Sequence, residues 1–367
     1  MGKIDLLLQN FNVPLFYIKI VISFLLSLFI TYSSIPTIIK ISRRKNLMDE
    51  PGQRSSHERK IPNLGGVALF FAISVSASIF AYQLFDGYKF LFASLVILLY
   101  IGVMDDIVIM RAYKKLVAQI IVSILLVVGS DVRIRSLFGL FGINELNYFL
   151  SIVFSVITFI ILINAFNLID GIDGLAGSYG VICFALFGIS YYRLGEYNYP
   201  LVILSTSIIG AILGFLYFNL SDKSKKIFMG DTGSMVLGFL LTFTAICFID
   251  IFIAKRSAEG VYYHLKSAPV IAVAILILPI VDTMNVIIIR LANKKSPFEA
   301  DKNHIHHKLL KLGLTHKKAT ISILCYYLLI IAITYSLRHL GPNLLLLIVV
   351  ALGFIGAYIP NLLMKKK

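Results

Sequence analysis

Five stretches of this 367-residue chain carry side chains whose type and spacing could do chemistry. The first is Gly102-Val-Met-Asp105-Asp106, with Arg111, Lys114 and Lys115 close behind. Adjacent carboxylates repel, so the pair calls for a cation, a metal or a lysine between them. The plainer reading is a solvated helix end with a local ion pair. The second stretch is Asn164-Ala-Phe-Asn167-Leu-Ile-Asp170-Gly-Ile-Asp173-Gly174. Polar groups recur every three residues, which makes them neighbours on a helix face. Their amide and carboxylate oxygens suit a hard cation such as Mg2+. The stretch holds no Lys or Arg, so its positive partner comes from elsewhere. Its glycines let a phosphate or a base approach the backbone. A turn explains one Asn or one Gly, but not a period-three ladder.

The third stretch runs from Asn219 to Ser234 and includes Phe228 and Gly230-Asp231-Thr232-Gly233-Ser234. Asp231 taken alone reads as a helix N-cap. The fourth is the loop 290–319, with Ser296-Pro297-Phe298, Asp301, Lys302 and then His304-Ile-His306-His307. Three imidazoles in four residues could bind a transition metal, donate to phosphate oxygens or shuttle protons. No cysteine or His-Glu-x-x-His spacing supports a zinc protease. A basic loop drawn to anionic lipid is the plain alternative. The fifth, Asp49 to Gly66, contains His57 and is basic and turn-rich. It reads equally as a phosphate-facing loop or a charged membrane flank. One acid, Asp282, falls inside an apolar run with Asn285 one turn on. An ionisable group there is a functional candidate by default. It could orient Arg290 or the histidine loop, or make a hydrogen bond between helices.

The elements that must position these groups are membrane helices. Hydrophobic residues make up 58% of the chain and charged residues 14%, with a mean hydropathy of +0.88. A soluble protein carries about 25% charged residues. Apolar runs long enough to span a bilayer, roughly 17–25 residues, occur at about 15–38, 64–85, 88–104, 116–130, 148–163, 174–192, 200–218, 232–252, 268–289, 320–337 and 343–362. The expected fold class is therefore all-α: a polytopic transmembrane helical bundle of about eleven helices. Continuous runs without ten-residue alternation argue against a barrel. The chain reads as one integral-membrane domain, 1–367, with its motifs in 49–307 and two C-terminal helices in 320–362. The first apolar run lacks the pattern of a cleavable signal. Cys183, Cys247 and Cys325 lie far apart in apolar runs, so neither a disulfide nor a thiolate metal site is expected.

With the N-terminus outside and the C-terminus cytoplasmic, most of the 34 Lys and Arg fall on the cytoplasmic side. The positive-inside bias supports that topology. It also gathers nearly all the motif stretches on the cytoplasmic face. The charge of +15 is spread over short loops rather than a stripe, which argues against nucleic acid as a partner. Oxygen ligands for a divalent cation, scattered cations for anions and a lipid-embedded scaffold together fit phosphoryl transfer between a soluble and a membrane-bound substrate. Such transfer needs positioning and charge neutralisation more than covalent chemistry.

The combination of Asp105-Asp106, Asn164-x-x-Asn167-x-x-Asp170-Gly-x-Asp173-Gly174, Gly230-Asp231-x-Gly233-Ser234 and His304-Ile-His306-His307, in that order, resembles the polyprenyl-phosphate N-acetylhexosamine-1-phosphate transferases. Within them it is most similar to the bacterial undecaprenyl-phosphate N-acetylglucosaminyl-1-phosphate transferases of glycosyltransferase family 4. The resemblance runs from His57 to His307. It implies Mg2+ as cofactor, with Mn2+ as a substitute, on Asn167 and Asp231. It implies that Asp105 and Asp106 activate or place the lipid phosphate and that Lys115 contacts phosphate. Asp173, Asn219 and Phe228 would surround the uridine, with Gly230 and His57 also at the substrate. Asp170 belongs to the catalytic set, and His304, His306 and His307 lie beside the pyrophosphate and sugar. Lys302 departs from the pattern, because relatives commonly carry Arg there, and Lys is only a point charge.

The implied reaction joins UDP-GlcNAc and undecaprenyl phosphate to give undecaprenyl-diphospho-GlcNAc and UMP, the first lipid-linked step of a cell-envelope polysaccharide such as lipopolysaccharide. The implied partners are a UDP-N-acetylhexosamine, undecaprenyl phosphate, the bilayer of the inner membrane and, as a candidate, a second copy of the chain. Two rivals differ. A phospho-MurNAc-pentapeptide transferase would share the metal site, but the histidine form and the Ser-Pro-Phe block favour the amino-sugar branch. A transporter would place its acids near the bilayer midplane between repeats, whereas these acids lie at helix ends.

Overall fold

The computed structural model describes residues 14–48, 60–108, 110–221, 224–253, 265, 267–296 and 303–365. In chain order its helices are α1 (Leu15–Arg44), α2 (Gly65–Phe80), α3 (Gln83–Gly87), α4 (Leu91–Val108) and α5 (Ala112–Gly129). A hairpin of β1 (Ser136–Leu140) and β2 (Ile143–Glu145) follows. Then come α6 (Tyr148–Ile169), α7 (Leu175–Arg193), α8 (Tyr199–Asn219), α9 (Gly230–Ile253), α10 (Ala268–Ile275), α11 (Ile277–Ala292), α12 (Ile305–Lys311), α13 (His316–Ser336) and α14 (Pro342–Lys365). Among the described residues, nine helices are long and apolar enough to cross a membrane, or up to ten if α10 and α11 form one bent span. The protein is a polytopic helical membrane protein.

Helix α9 is the hub. It is apolar on every side and buried along nearly its whole length, as such a helix must be. It packs against α2, α4, α6, α7 and α10. Helices α1 and α14 lie at the periphery and turn large apolar side chains such as Phe29 and Leu347 outward. The inward face of α1 is mostly small and hydroxylated, with Ser23, Ser27, Thr31 and Ser42 buried. It meets α8, where Gly210 and Gly214 lie so near the Phe24 and Leu28 carbonyls that a side chain would collide. Close backbone approach is how helices associate when their surroundings are as apolar as they are.

Three features depart from the sequence reading. The run 268–289 is not one rod, because α10 and α11 meet at 71°. Pro279 has no N–H to give to the Ile275 carbonyl four residues back. That carbonyl instead accepts the hydroxyls of Tyr179 and Tyr327, each at 2.8 Å. The run 64–85 becomes the 16-residue α2 and the separate single turn α3. The connection 131–147, between two of the expected helices, is a β-hairpin within an otherwise helical chain. Its two-residue turn takes Phe141 (φ 54°) and Gly142 (φ 79°) into the left-handed region, the conformation that matches strand twist in tight hairpins. Arg135 pairs with Asp131 at 2.6 Å and with Asp250 at the end of α9, which ties the hairpin to the hub.

Helices α4 and α6 also run further than expected, to Val108 and Ile169. That extension places Asp105, Asp106, Asn164 and Asn167 on helical last turns, where their side chains have fixed directions.

Candidate active site

Four helix ends meet at the end of the bundle opposite the hairpin: the last turns of α4 and α6 and the first turns of α5 and α9. The adjacent acids of α4 part company there. The Asp106 carboxylate turns to the start of α9. It accepts the backbone N–H of Asp231 at 2.8 Å, that of Thr232 at 3.1 Å and the Thr232 hydroxyl at 2.6 Å. The first N–H groups of a helix have no partner within it, so a carboxylate from another helix caps α9. Gly230, with φ of +69°, makes this possible. A side chain there would run into the Asn63 carbonyl and the Asp106 carboxylate.

Asp105 points the other way. One oxygen accepts the Met110 N–H at 2.7 Å, closing the turn into α5. The other pairs with Lys115 Nζ at 2.5 Å. The same ammonium pairs with the Asp231 carboxylate, so Lys115 lies between Asp105 and Asp231 rather than between the adjacent acids, where the sequence reading called for a cation. The remaining Asp231 oxygen accepts Asn167 Nδ2 at 3.0 Å, and that amide also donates to Ser234 Oγ at 2.7 Å. Asn164, one turn earlier, does not join them. It exchanges hydrogen bonds with Gln119 and fastens α5 to α6. Asp170 lies in the turn after α6. Burial, followed by the negative charges of Asp231, Asp173 and Asp106, pushes its carboxyl well above the ordinary range and favours its protonated form.

A second cluster forms around Asp173. Its carboxylate takes Lys226 Nζ at 2.5 Å and His316 Nδ1 at 3.1 Å. Burial alone would raise this carboxyl, but hydrogen bonds from His316 and Lys226 outweigh it and hold the group below the usual range. Asn219 joins the scaffold here. Its oxygen accepts the Gly174 N–H at 2.7 Å and its nitrogen donates to the Ile227 carbonyl at 3.0 Å. Phe228 is held through its backbone. Its N–H donates to Pro62 and its carbonyl accepts from Gly65. The end of the fifth stretch is thus the strap that places this ring, and Lys226 Nζ lies 5.9 Å from the ring centre.

The histidines start α12. His304 and His306 stack with ring centres 5.6 Å apart, and His307 follows 4.3 Å from His306. His306 Nε2 lies against Gly171, inside the Asn/Asp ladder. Burial drives the His306 imidazole down to about 3, despite the opposing pull of Asp282, so it is neutral at pH 7. His57 and Lys302 fall outside the described residues.

The geometry therefore gathers Asp105, Asp106, Lys115, Asn167, Asp170 and Asp231 at one centre, with the Asp173–Phe228 cluster and the histidines beside it. Sequence reasoning missed Asn63, Thr232, Ser234 and His316, each an ordinary cap or helix-start residue by type. Among the described residues no three His, Cys, Asp or Glu side chains converge as a closed metal cage. The Asp105 and Asp231 carboxylates and the Asn167 amide are nonetheless hard oxygen donors of the kind Mg2+ takes with water and substrate oxygens. They already face one cation, Lys115, so the donor set fits a divalent ion.

The family model described as Glycosyl transferase family 4 matches residues 88–249, from the start of α4 through most of α9. The chain is 32% identical over 315 residues to a probable undecaprenyl-phosphate N-acetylglucosaminyl 1-phosphate transferase of Bacillus subtilis, covering 85% of this chain and 82% of that protein. The chain belongs to glycosyl transferase family 4. Other similar proteins are the undecaprenyl-phosphate alpha-N-acetylglucosaminyl 1-phosphate transferases of Haemophilus influenzae, 33% identical and covering 82% of each chain, and of Escherichia coli K12, 29% identical over 86% of this chain and 83% of that one. This glycosyl transferase family is one of polyprenyl-phosphate sugar-phosphate transferases. Its matched segment contains the paired acids, the Asn/Asp ladder and Asp231.

Proposed function

We propose that the protein transfers N-acetylglucosamine 1-phosphate from UDP-GlcNAc to undecaprenyl phosphate, releasing UMP, at the cytoplasmic face of a bacterial inner membrane. The observation that carries this reading is Lys115 held between Asp105 and Asp231 with Asn167 on the far oxygen of Asp231. It is a compact arrangement of fixed charge for handling phosphate oxygens, in a chain whose relatives are named for this transfer.

In this reading an oxygen of the lipid phosphate forms the new bond to the sugar-linked phosphorus, and the bond from that phosphorus to UMP breaks. The acceptor phosphate is mostly ionised at pH 7, because its second pKa is about 6, so a strong base is not required. Mg2+ would be held by Asp231 and Asn167, with Asp105 adjacent, and would supply charge neutralisation at the diphosphate. Lys115 binds a phosphate oxygen. Asp106 keeps the first turn of α9, and so Asp231, in place. Phe228 offers a face on which a uracil stacks, and Lys226 and Asp173 flank it. Neutral His306 donates or accepts one hydrogen bond without adding charge. A second copy of the chain completes the proposed assembly as a homodimer.

The test is UMP release by the purified protein given undecaprenyl phosphate with UDP-GlcNAc, UDP-GalNAc or UDP-MurNAc-pentapeptide, with and without Mg2+. The expected result is Mg2+-dependent release with UDP-GlcNAc, and at least a hundredfold loss in a folded Asp231→Ala variant. Release with another donor alone overturns the substrate. Full turnover in Asp231→Ala overturns the metal site.

A further inference from the structure

Asp282 lies six residues into α11, below the bend, and is 2% exposed. An acid at such a place is expensive unless its partners are specific. Both of its oxygens are engaged, and both engage the start of α12. One accepts the Ile305 N–H at 2.7 Å and the other faces His304 Nδ1 at 2.8 Å. A backbone N–H can only donate, so the first oxygen is an acceptor. The second completes the pair as an acceptor if His304 carries its proton on Nδ1. His304 is itself 5% exposed. Its ring stacks on His306, whose Nε2 lies against Gly171 of the ladder. A continuous line of contacts therefore runs from α11 through His304 and His306 to the Asn/Asp ladder.

We propose that Asp282 is a positioning residue. From within the broken membrane helix it fixes the His304 tautomer, with the proton on Nδ1 and Nε2 left as the working nitrogen, and it fixes the angle at which α12 presents its histidines to the diphosphate. The proposal rests on the reaction assigned above. The nitrogen that carries the proton in an imidazole is set by the hydrogen bond its other nitrogen makes. Partners of this kind, which hold a functional histidine from behind, cost about 10–100-fold when removed from metal sites, and the same scale is expected here. The bend at Pro279 gives α11 its direction at this site, and α12 follows from it.

A double-mutant cycle tests this with full-length protein in lipid nanodiscs. Asp282→Asn keeps the size and one acceptor oxygen, enough for the Ile305 N–H, but removes the charge and puts an NH2 donor in place of the oxygen that faces His304. The expected result is a fall in kcat of about 10–100-fold, with KM for UDP-GlcNAc and the melting temperature within twofold and a few degrees of the parent. In a His304→Ala background the same substitution is expected to change kcat less than twofold. Equal losses in both backgrounds overturn the proposal, because a structural acid acts whether or not the imidazole is present. A parent-like Asp282→Asn also overturns it. A second readout does not depend on turnover. In protein labelled with 15N-histidine, the His304 Nδ1 resonance, identified by its loss in His304→Gln, is expected to be that of a proton-bearing nitrogen and to move in Asp282→Asn. An unprotonated Nδ1 at neutral pH overturns the proposal. If the parent releases no UMP, the assigned reaction fails while this resonance still decides the pairing.

Discussion

Two acids in this protein, one half-buried and one buried, hold the start of a helix that is not their own. Asp106, at the end of α4, caps α9. Asp282, in α11, caps α12. Each brings a motif into the same site. The difference lies in what else each oxygen pair holds. Asp106 also takes the Thr232 hydroxyl, a group with no titration near neutrality. Asp282 also faces the His304 imidazole, whose two ring nitrogens differ in which one carries the proton. The comparison teaches that one kind of cap can serve two ends: the first secures a position and the second can also set a tautomer.

The largest effect should come from breaking the purely positional cap. Asp106→Ala leaves the Asp231 and Thr232 N–H groups without their acceptor, and each buried unsatisfied donor costs about 1–3 kcal/mol. Turnover is expected to fall by more than about a hundredfold, with a clear drop in the unfolding midpoint measured in detergent. An unchanged midpoint would show that α9 starts without help. The α12 cap should instead show itself through pH. His306 has a folded pKa of about 3 against an ordinary 6.5. Its protonation in the unfolded state therefore draws the protein toward unfolding as pH falls from 6.5 toward 3. The midpoint should drop over that window, and less steeply in His306→Gln. A parallel slope in the variant would sink the assignment.

The smallest effect is expected at the bend that aims Asp282. Tyr179→Phe and Tyr327→Phe each leave one hydroxyl on the Ile275 carbonyl and should cost less than about 1 kcal/mol. The double variant leaves the buried carbonyl only the weak Cys183 thiol donor at 3.4 Å, costs more than the sum of the two and reduces turnover while Asp231 stays in place. Additive losses in a chemical-denaturation series would mean that the two tyrosines act independently.

Much of this site could be read from residue types. The paired acids, Asn167 and Asp170 of the ladder and the Gly-Asp-x-Gly-Ser segment reach the centre, because their spacing reflects helix faces and a helix start. Three things were less legible. The division of labour between Asp105 and Asp106 depends on which way two adjacent side chains leave a helix end, which periodicity does not report. Asn164 belongs by spacing to the ladder but in space to Gln119, since a period of three drifts around a helix of 3.6 residues per turn. His316 looked like an ordinary helix-start residue and is joined to Asp173 only by the fold. For the fold itself, apolar runs located the helices well. The bend was present in Pro279 but passed unread, since proline inside a membrane helix is common enough to be discounted; Pro36 lies within an unbroken α1. The hairpin lacked the alternating pattern that announces strands, because two of its residues, Phe138 and Phe141, take left-handed backbone angles.

The seam between α1 and α8 bears on how the molecule is made. Synthesis proceeds from the N-terminus, so α1 is made well before the glycines that receive it, Gly210 and Gly214, which are translated nearly two hundred residues later. Through that interval the serine and threonine face of α1 has α2 beside it, where the Ser76 hydroxyl donates to the Ser23 carbonyl at 2.8 Å, but lacks the α8 part of its native surface. The seam with α8 therefore closes late, over a bundle whose centre is still to be completed by α9.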